Sequence, residues 1–250
     1  MPSVSWYRGE IARVSDRAEL DAFLKQHSGL PGPRANLELA QAMAEEASEA
    51  VLLEFASAPR AGLDSNDPAV FPLVCGIVGL GRMTAEGSEA HWERLRECAN
   101  DPCWRIREAV AMALQRVGLA RFAALIHHTR SWRQGTPLEQ RALAAGLCEP
   151  ALLELPDQAR EALTALDEIT RSLLARGDRR SADVRILRQG LGYCWSVAVA
   201  ALPSEGWDLL AGWALCTDPD VRWIIIENLK KKRLERLDTL RLVTIRASLE

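Results

Sequence analysis

The sequence predicts an all-α fold built as an α-solenoid, a row of stacked helical hairpins, and three observations carry that expectation. In DPCWRIREAVAMALQRV, residues Asp101 to Val117, the apolar positions Ile106, Ala109, Val110, Ala113, Leu114 and Val117 fall on one stripe at the helical period. A weaker copy follows about a hundred residues later in DPDVRWIIIENL, Asp218 to Leu229, where Val221, Ile225 and Leu229 repeat the spacing. Strand signals are poor, since Leu, Ala, Glu and Arg dominate and aromatics make up only 6% of the 250 residues. A helix with one greasy stripe needs a partner, and recurrence of the unit supplies neighbours of the same kind.

Taken in order, residues 1–15 lack a pattern and read as a lead-in arm. Ser15 reads as the N-cap of a helix to about His27, and GLPGPR at 29–34 breaks the chain with two prolines and two glycines. Asn36 reopens a helix, and the Ala-, Glu- and Leu-rich run from Leu37 to Ala56 has high helix propensity throughout. APRAGLDSNDP, Ala58 to Pro68, is the most loop-like stretch, so an N-terminal helical cap is assigned to 1–58 and the repeat array to 68–233. Phe71 to Met83 reads as a helix whose Gly76, Gly79 and Gly81 let a neighbour approach closely. Hairpins then follow as Glu89–Ala99 with Trp104–Val117, Ala120–Trp132 with Pro137–Leu147, Pro156–Arg176 with Asp183–Leu202, and Glu205–Cys216 with Pro219–Arg233. Asp101 and Asp218 are suited to cap helices that Pro102 and Pro219 begin. A charged helix near Leu234 to Ala247 serves as the C-terminal cap over 234–250.

D-P followed by Val/Ile-Arg and a run ending Ala-Leu resembles the second helix of HEAT repeats, carried by Asp101, Pro102, Ile106, Arg107, Ala113 and Leu114 in one unit and, in a shortened version, by Asp218, Pro219, Val221, Arg222 and Leu229 in the other. The resemblance covers roughly 68–233. It implies that Asp101, Arg107, Asp218 and Arg222 are structural residues that help join successive repeats, and that the array is an armadillo-like interaction scaffold.

Composition excludes several classes. The formal charge of −3 does not mark a dedicated nucleic-acid binder, yet between Val221 and Arg246 eight basic residues face three acidic ones. Six cysteines without a C-x-x-C pair read as buried thiols of a reducing compartment, and with no apolar leader the expected location is the cytoplasm. The apolar stretch read as the longest, Leu191 to Leu202, is too short for a bilayer, which needs about 20 residues, so no membrane partner is expected. No P-loop, G-x-S-x-G, H-E-x-x-H or clustered Cys/His spacing is present, and neither metal nor cofactor is expected. His127 and His128 are adjacent, hence about 100° apart on a helix, and do not readily share a ligand. Glu45, Glu46 and Glu49 read as one exposed helix face.

Eight tryptophans are the unusual feature. Trp104 with Glu108, and Trp223 with Glu227, stand four apart and so share a helix side. HEAT-like alkylpurine DNA glycosylases are similar in outline, and that likeness implies Trp104 or Trp223 stacking on a damaged base while Glu108 or Glu227, in place of an aspartate, stabilises developing positive charge. The bland alternative packs each tryptophan between repeats and leaves the glutamate in solvent. Lys230, Lys231, Lys232 and Arg233 invite phosphate contact, against a plain role at a helix C-terminus. The favoured expectation is a non-catalytic module that binds an unidentified protein partner through its concave face, with nucleic-acid binding, and base excision as its enzymatic form, as the alternative.

Overall fold

The structure is a computed structural model that describes residues 2–59 and 62–249. Residues 60 and 61, within the loop expected between Ala58 and Pro68, and residues 1 and 250, the outer ends of the two expected caps, lie outside the described residues. The fold is all-helical: 75% of the chain is helix, with no strand among the described residues. Two compact units divide it, Met1–Arg121 and Phe122–Glu250. The segment 1–58 belongs to the first unit, the stretch 68–233 runs through both, and 234–250 belongs to the second.

The first unit holds α1 (Val4–Ile11), α2 (Arg17–His27), α3 (Leu37–Glu46), α4 (Glu49–Ser57), α5 (Val70–Ala85), α6 (Trp92–Ala99) and most of α7 (Trp104–Thr129). The expected lead-in arm is in fact α1, which Ser3 caps. It buries Tyr7 and Ile11 and packs on α3, where the Asn36 amide donates to the Tyr7 hydroxyl at 2.8 Å. Two buried positions in eight residues make too short a stripe to see in sequence. The cap of α2 is Asp16, one residue beyond Ser15. Asn36 opens α3 as expected, its Oδ1 accepting from Leu39 N–H at 3.0 Å.

The single helix expected over 37–56 is two. Ala47 is extended, and Ser48 caps α4. Propensity favours continuing, but the break lets Leu39 and Met43 of α3, and Leu52 and Phe55 of α4, all be buried on helices that pack against α5. Fourteen of the sixteen α5 residues are buried, and α2, α3, α4 and α6 pack against it. Its glycines do allow close approach: a methyl on Gly76 would overlap the α4 backbone, and one on Gly81 would lie 2.5 Å from Ala113 Cα of α7.

The break expected between a helix ending at Val117 and one starting at Ala120 is present but falls a little later: α7 is two helices that meet at a kink at Arg121 (φ −145°, ψ 62°), where the two units divide, so the first runs on through Gly118. Gly118 costs about 1 kcal/mol of helix propensity, which is no stop signal without a proline. Taken across that kink, the run Trp104–Gln134 is long and apolar enough, by length and composition alone, to cross a membrane, and 44% of its most apolar window is buried inside the fold. It exceeds the Leu191–Leu202 stretch on which the sequence argument against a span rests.

The second unit follows with a 3-10 turn (Arg130–Gln134), α8 (Pro137–Leu147), α9 (Pro156–Leu174), α10 (Ala182–Ala201), α11 (Pro203–Ala214), α12 (Pro219–Leu229), α13 (Lys232–Leu237) and α14 (Thr239–Ala247). The single terminal helix expected is broken at Asp238, which caps α14. Here α10 lies between α8 and α12, while α9 meets α11 and α11 meets α14. Buried polar bonds lock these neighbours. Trp195 Nε1–H of α10 donates to Thr170 Oγ1 of α9 at 3.2 Å. Asn228 of α12 donates to the carbonyls of Leu191 and Ile224 and accepts from Ser196 N–H, each at 2.8 Å.

Candidate functional site

The motif residues divide by role. Asp218 is the N-cap expected of it, accepting from Asp220 N–H at 3.0 Å and Val221 N–H at 3.1 Å. It also accepts from Arg179, before α10, at 2.6 Å, which joins one hairpin to the next. Burial opposes the Asp218 charge, but the Arg179 guanidinium and the two backbone donors outweigh it and hold the carboxyl below its ordinary value. Arg222 donates to the Leu249 carbonyl and so ties α12 to the chain end. Asp101 does not begin a helix at Pro102: the helix starts at Trp104, and Asp101 Oδ1 accepts from Cys103 N–H at 2.8 Å to close the preceding turn. Arg107 folds back on that turn, donating to the carbonyls of Asp101 at 2.6 Å and Pro102 at 2.9 Å.

In the first unit the turn delivers Trp104, Arg105 and Glu108 to a cleft of about 230 Å³ formed with the N-terminal end of α3 and one position of α5. Its floor is hydrocarbon: Leu37, Val74, Ala109 and Met112. Trp104 forms a wall and is 41% exposed, while Glu108, four residues on, lines the same cleft as their spacing implies. The indole is fixed from behind, because the Arg105 guanidinium lies 4.3 Å from its ring centroid. Arg105 is itself buried and, among the described residues, donates only to neutral oxygens, the carbonyls of Gly32 and Ser65 and the Asn66 side chain at 3.0 Å. Burial lowers its pKa, with Cys103 and Asp64 opposing. Arg34 lines the cleft as well, exposed, with no hydrogen bond or ion pair to its guanidinium among the described residues. Sequence reasoning names Trp104 and Glu108 but misses Arg34 and Arg105. Arg34 closes a proline- and glycine-rich break and Arg105 follows the tryptophan off the stripe, so periodicity says nothing of either.

The second unit gathers the remaining candidates. Trp223 packs against Gly192 of α10, where a methyl would come within 3.0 Å of its ring, and the Arg188 guanidinium stands 4.5 Å from its centroid. Trp223 is half-buried in this contact between α10 and α12. Glu227 flanks the same glycine and is paired with Lys230. Lys231 and Arg233 sit over the ring of Tyr193, at 5.7 and 4.7 Å, and Arg233 donates to its hydroxyl at 2.6 Å. Tyr193 is 47% exposed, and Lys232 is exposed on the first turn of α13. Tyr193 stands out only through these cations, which arrive from a different helix. Trp104 and Glu108 therefore belong to one unit, and Trp223, Glu227 and the basic cluster to the other.

Glu45 and Glu46 depart from the exposed face expected of them: both are half-buried and pair with Arg8, tying α1 to α3. All six cysteines are free, and Cys75, Cys98, Cys148 and Cys194 are buried. Among the described residues no three His, Cys, Asp or Glu side chains are placed to hold a metal ion. Comparison with known proteins returns no match: no family model, no curated protein and no solved structure is significantly similar to this chain.

Proposed function

We propose that this chain is a non-catalytic, HEAT-like protein-interaction module of the cytoplasm, its repeat helices stacked as an α-solenoid whose second helices present the concave binding face. The repeat reading is supported in the second unit by α8, α10 and α12 lying side by side with α9 and α11 on the other layer, and by the Asp218–Arg179 link between hairpins. The binding reading is carried by one observation: an exposed tryptophan, braced by a buried arginine, at the mouth of an apolar cleft. Aromatic and arginine side chains in desolvated pockets are the usual anchors of protein interfaces, and a rigid aromatic loses little entropy on binding. Site-specific photocrosslinking tests it. A photoreactive residue at Met112 in the cleft is expected to trap a discrete protein from cell extract, and one at Glu93, exposed on α6, to trap none. Equal trapping at both positions, or none at Met112, refutes the reading.

A second reading is favoured by the Tyr193 surface. Cations stacked on an exposed aromatic suit single-stranded nucleic acid, in which bases stack and phosphates need positive charge. Its signature is salt dependence, with a slope of log K against log salt of about −0.7 per phosphate neutralised. Base release from alkylated DNA, lost in Glu108→Gln or Glu227→Gln, tests the enzymatic form. Salt-independent retention of DNA, or none, removes this alternative.

A further inference from the structure

We infer that the cleft of the first unit is an anchor site for one aromatic side chain of a peptide whose adjoining residue is acidic. This rests on the reading of the chain as a protein-interaction module and names the partner that the site selects.

Size comes first. At about 230 Å³ the cleft falls short of the roughly 300–1,000 Å³ of a typical small-molecule site, yet exceeds an engineered cavity of about 150 Å³ that takes up benzene. One ring and its attachment fit; an extended cofactor does not. Lining chemistry comes second. Leu37, Val74, Ala109 and Met112 offer hydrocarbon and a thioether to a ring, and the exposed face of Trp104 offers an offset-stacking or edge contact. Among the described residues no amide or hydroxyl side chain lines the cleft to read the polar edge of a nucleobase, which favours a hydrocarbon ring over a base.

Charge comes third. Two guanidinium groups border the cleft against one carboxylate, Glu108. Arg105 is held by neutral oxygens, and the Arg34 guanidinium has no bonded partner among the described residues. A partner carboxylate beside the ring completes Arg34 with a charge-assisted bond, of the bidentate kind for which arginine is suited. A basic neighbour meets two like charges there. The ring supplies burial and the acid supplies selection.

The test pans a random-peptide display library on the full chain, with Trp104→Ala and Arg34→Glu proteins in parallel. Recovered peptides are expected to share an aromatic residue next to Asp or Glu and to lose about tenfold or more of their affinity for Trp104→Ala, as truncation of an anchoring aromatic does. Arg34→Glu, changed at an exposed side chain, is expected to keep the aromatic while its neighbour changes to Lys or Arg. That reversal separates recognition from misfolding. Peptides that share no aromatic, or that bind Trp104→Ala undiminished, overturn the inference and leave the interaction reading standing. Recovery of nothing above background overturns both. In a separate arm, binding of a fluorescein-labelled oligothymidylate that Trp104→Ala abolishes overturns the inference in favour of nucleic acid.

Discussion

Replacing Gly76 by alanine probes the packing on which the cleft depends, because α5 supplies its Val74 and is pressed against α4 at Gly76. The added methyl would stand 2.8 Å from Phe55 C and 2.9 Å from Ala56 Cα, and closer still to Ala56 N. All three are backbone atoms, so no side chain can rotate away and α4 itself must shift. Overpacking of a close-packed interior costs roughly 1–3 kcal/mol, and a rigid obstacle places this case near the upper end. Alanine in a helix returns about 1 kcal/mol of propensity relative to glycine. The net expectation is destabilisation by about 2 kcal/mol, or a fall in melting temperature of roughly 4–8 °C for a chain of this size. Gly212 in α11 is the control: a methyl there meets nothing within 4 Å, so only the propensity gain of about 1 kcal/mol remains and the melting temperature should rise by roughly 2–4 °C. Thermal unfolding followed by circular dichroism at the helix band, with urea melts as a second measure, reads both signs. If Gly76→Ala melts at or above the parent, or Gly212→Ala melts below it, the close-approach reasoning is wrong.

Asn228→Ala should destabilise the second unit by roughly 2–4 kcal/mol, since it removes three buried hydrogen bonds, two of which tie α12 to Leu191 O and Ser196 N–H of α10; a urea midpoint unchanged from the parent contradicts this. Asp218 gives a pH dependence with a definite sign. Its folded carboxyl is held below the ordinary value, so its contribution is intact above about pH 4 and is lost as pH falls through the lower folded value. The stability gap between the parent and Asp218→Asn should therefore narrow in acid, and a gap that widens below about pH 4 refutes the assignment. Thiol chemistry should be split, because burial pushes the Cys75 thiol far up and Cys98, Cys148 and Cys194 are also enclosed, while Cys103 and Cys216 are half-exposed. Titration of the native protein with an aromatic disulfide should modify Cys103 and Cys216 first, with the other four released only on unfolding; mass-spectrometric detection of modified Cys75 in folded protein is the contrary result.

Local chemistry made much of the helical layout readable. Asn36 and Asp218 cap helices because their side-chain oxygens reach N–H groups two or three residues on, and that reach depends only on neighbours in sequence. The stripe from Ile106 to Val117 is buried throughout, as a helix with one apolar face requires. The four-residue spacing of Trp104 and Glu108 likewise puts both on one cleft, since it is a property of a single helix.

The amino-acid sequence by itself determined that the chain is helical, where most helices begin, and which side of each is apolar, for these follow from interactions spanning a few residues. Tertiary structure alone decided that α1 exists, that the chain breaks at Ala47, and that the helix opened at Trp104 kinks at Arg121 and not at Gly118. In each of these the local preference is about a kilocalorie per mole and burial against another helix is worth more. The cleft follows the same rule. Arg105 meets Gly32 from 73 residues away, and Arg34 reaches Trp104's side of the fold only because the proline-rich turn packs there. No spacing along the chain encodes a contact between loops that far apart; it arises when helices stack and bring their ends together.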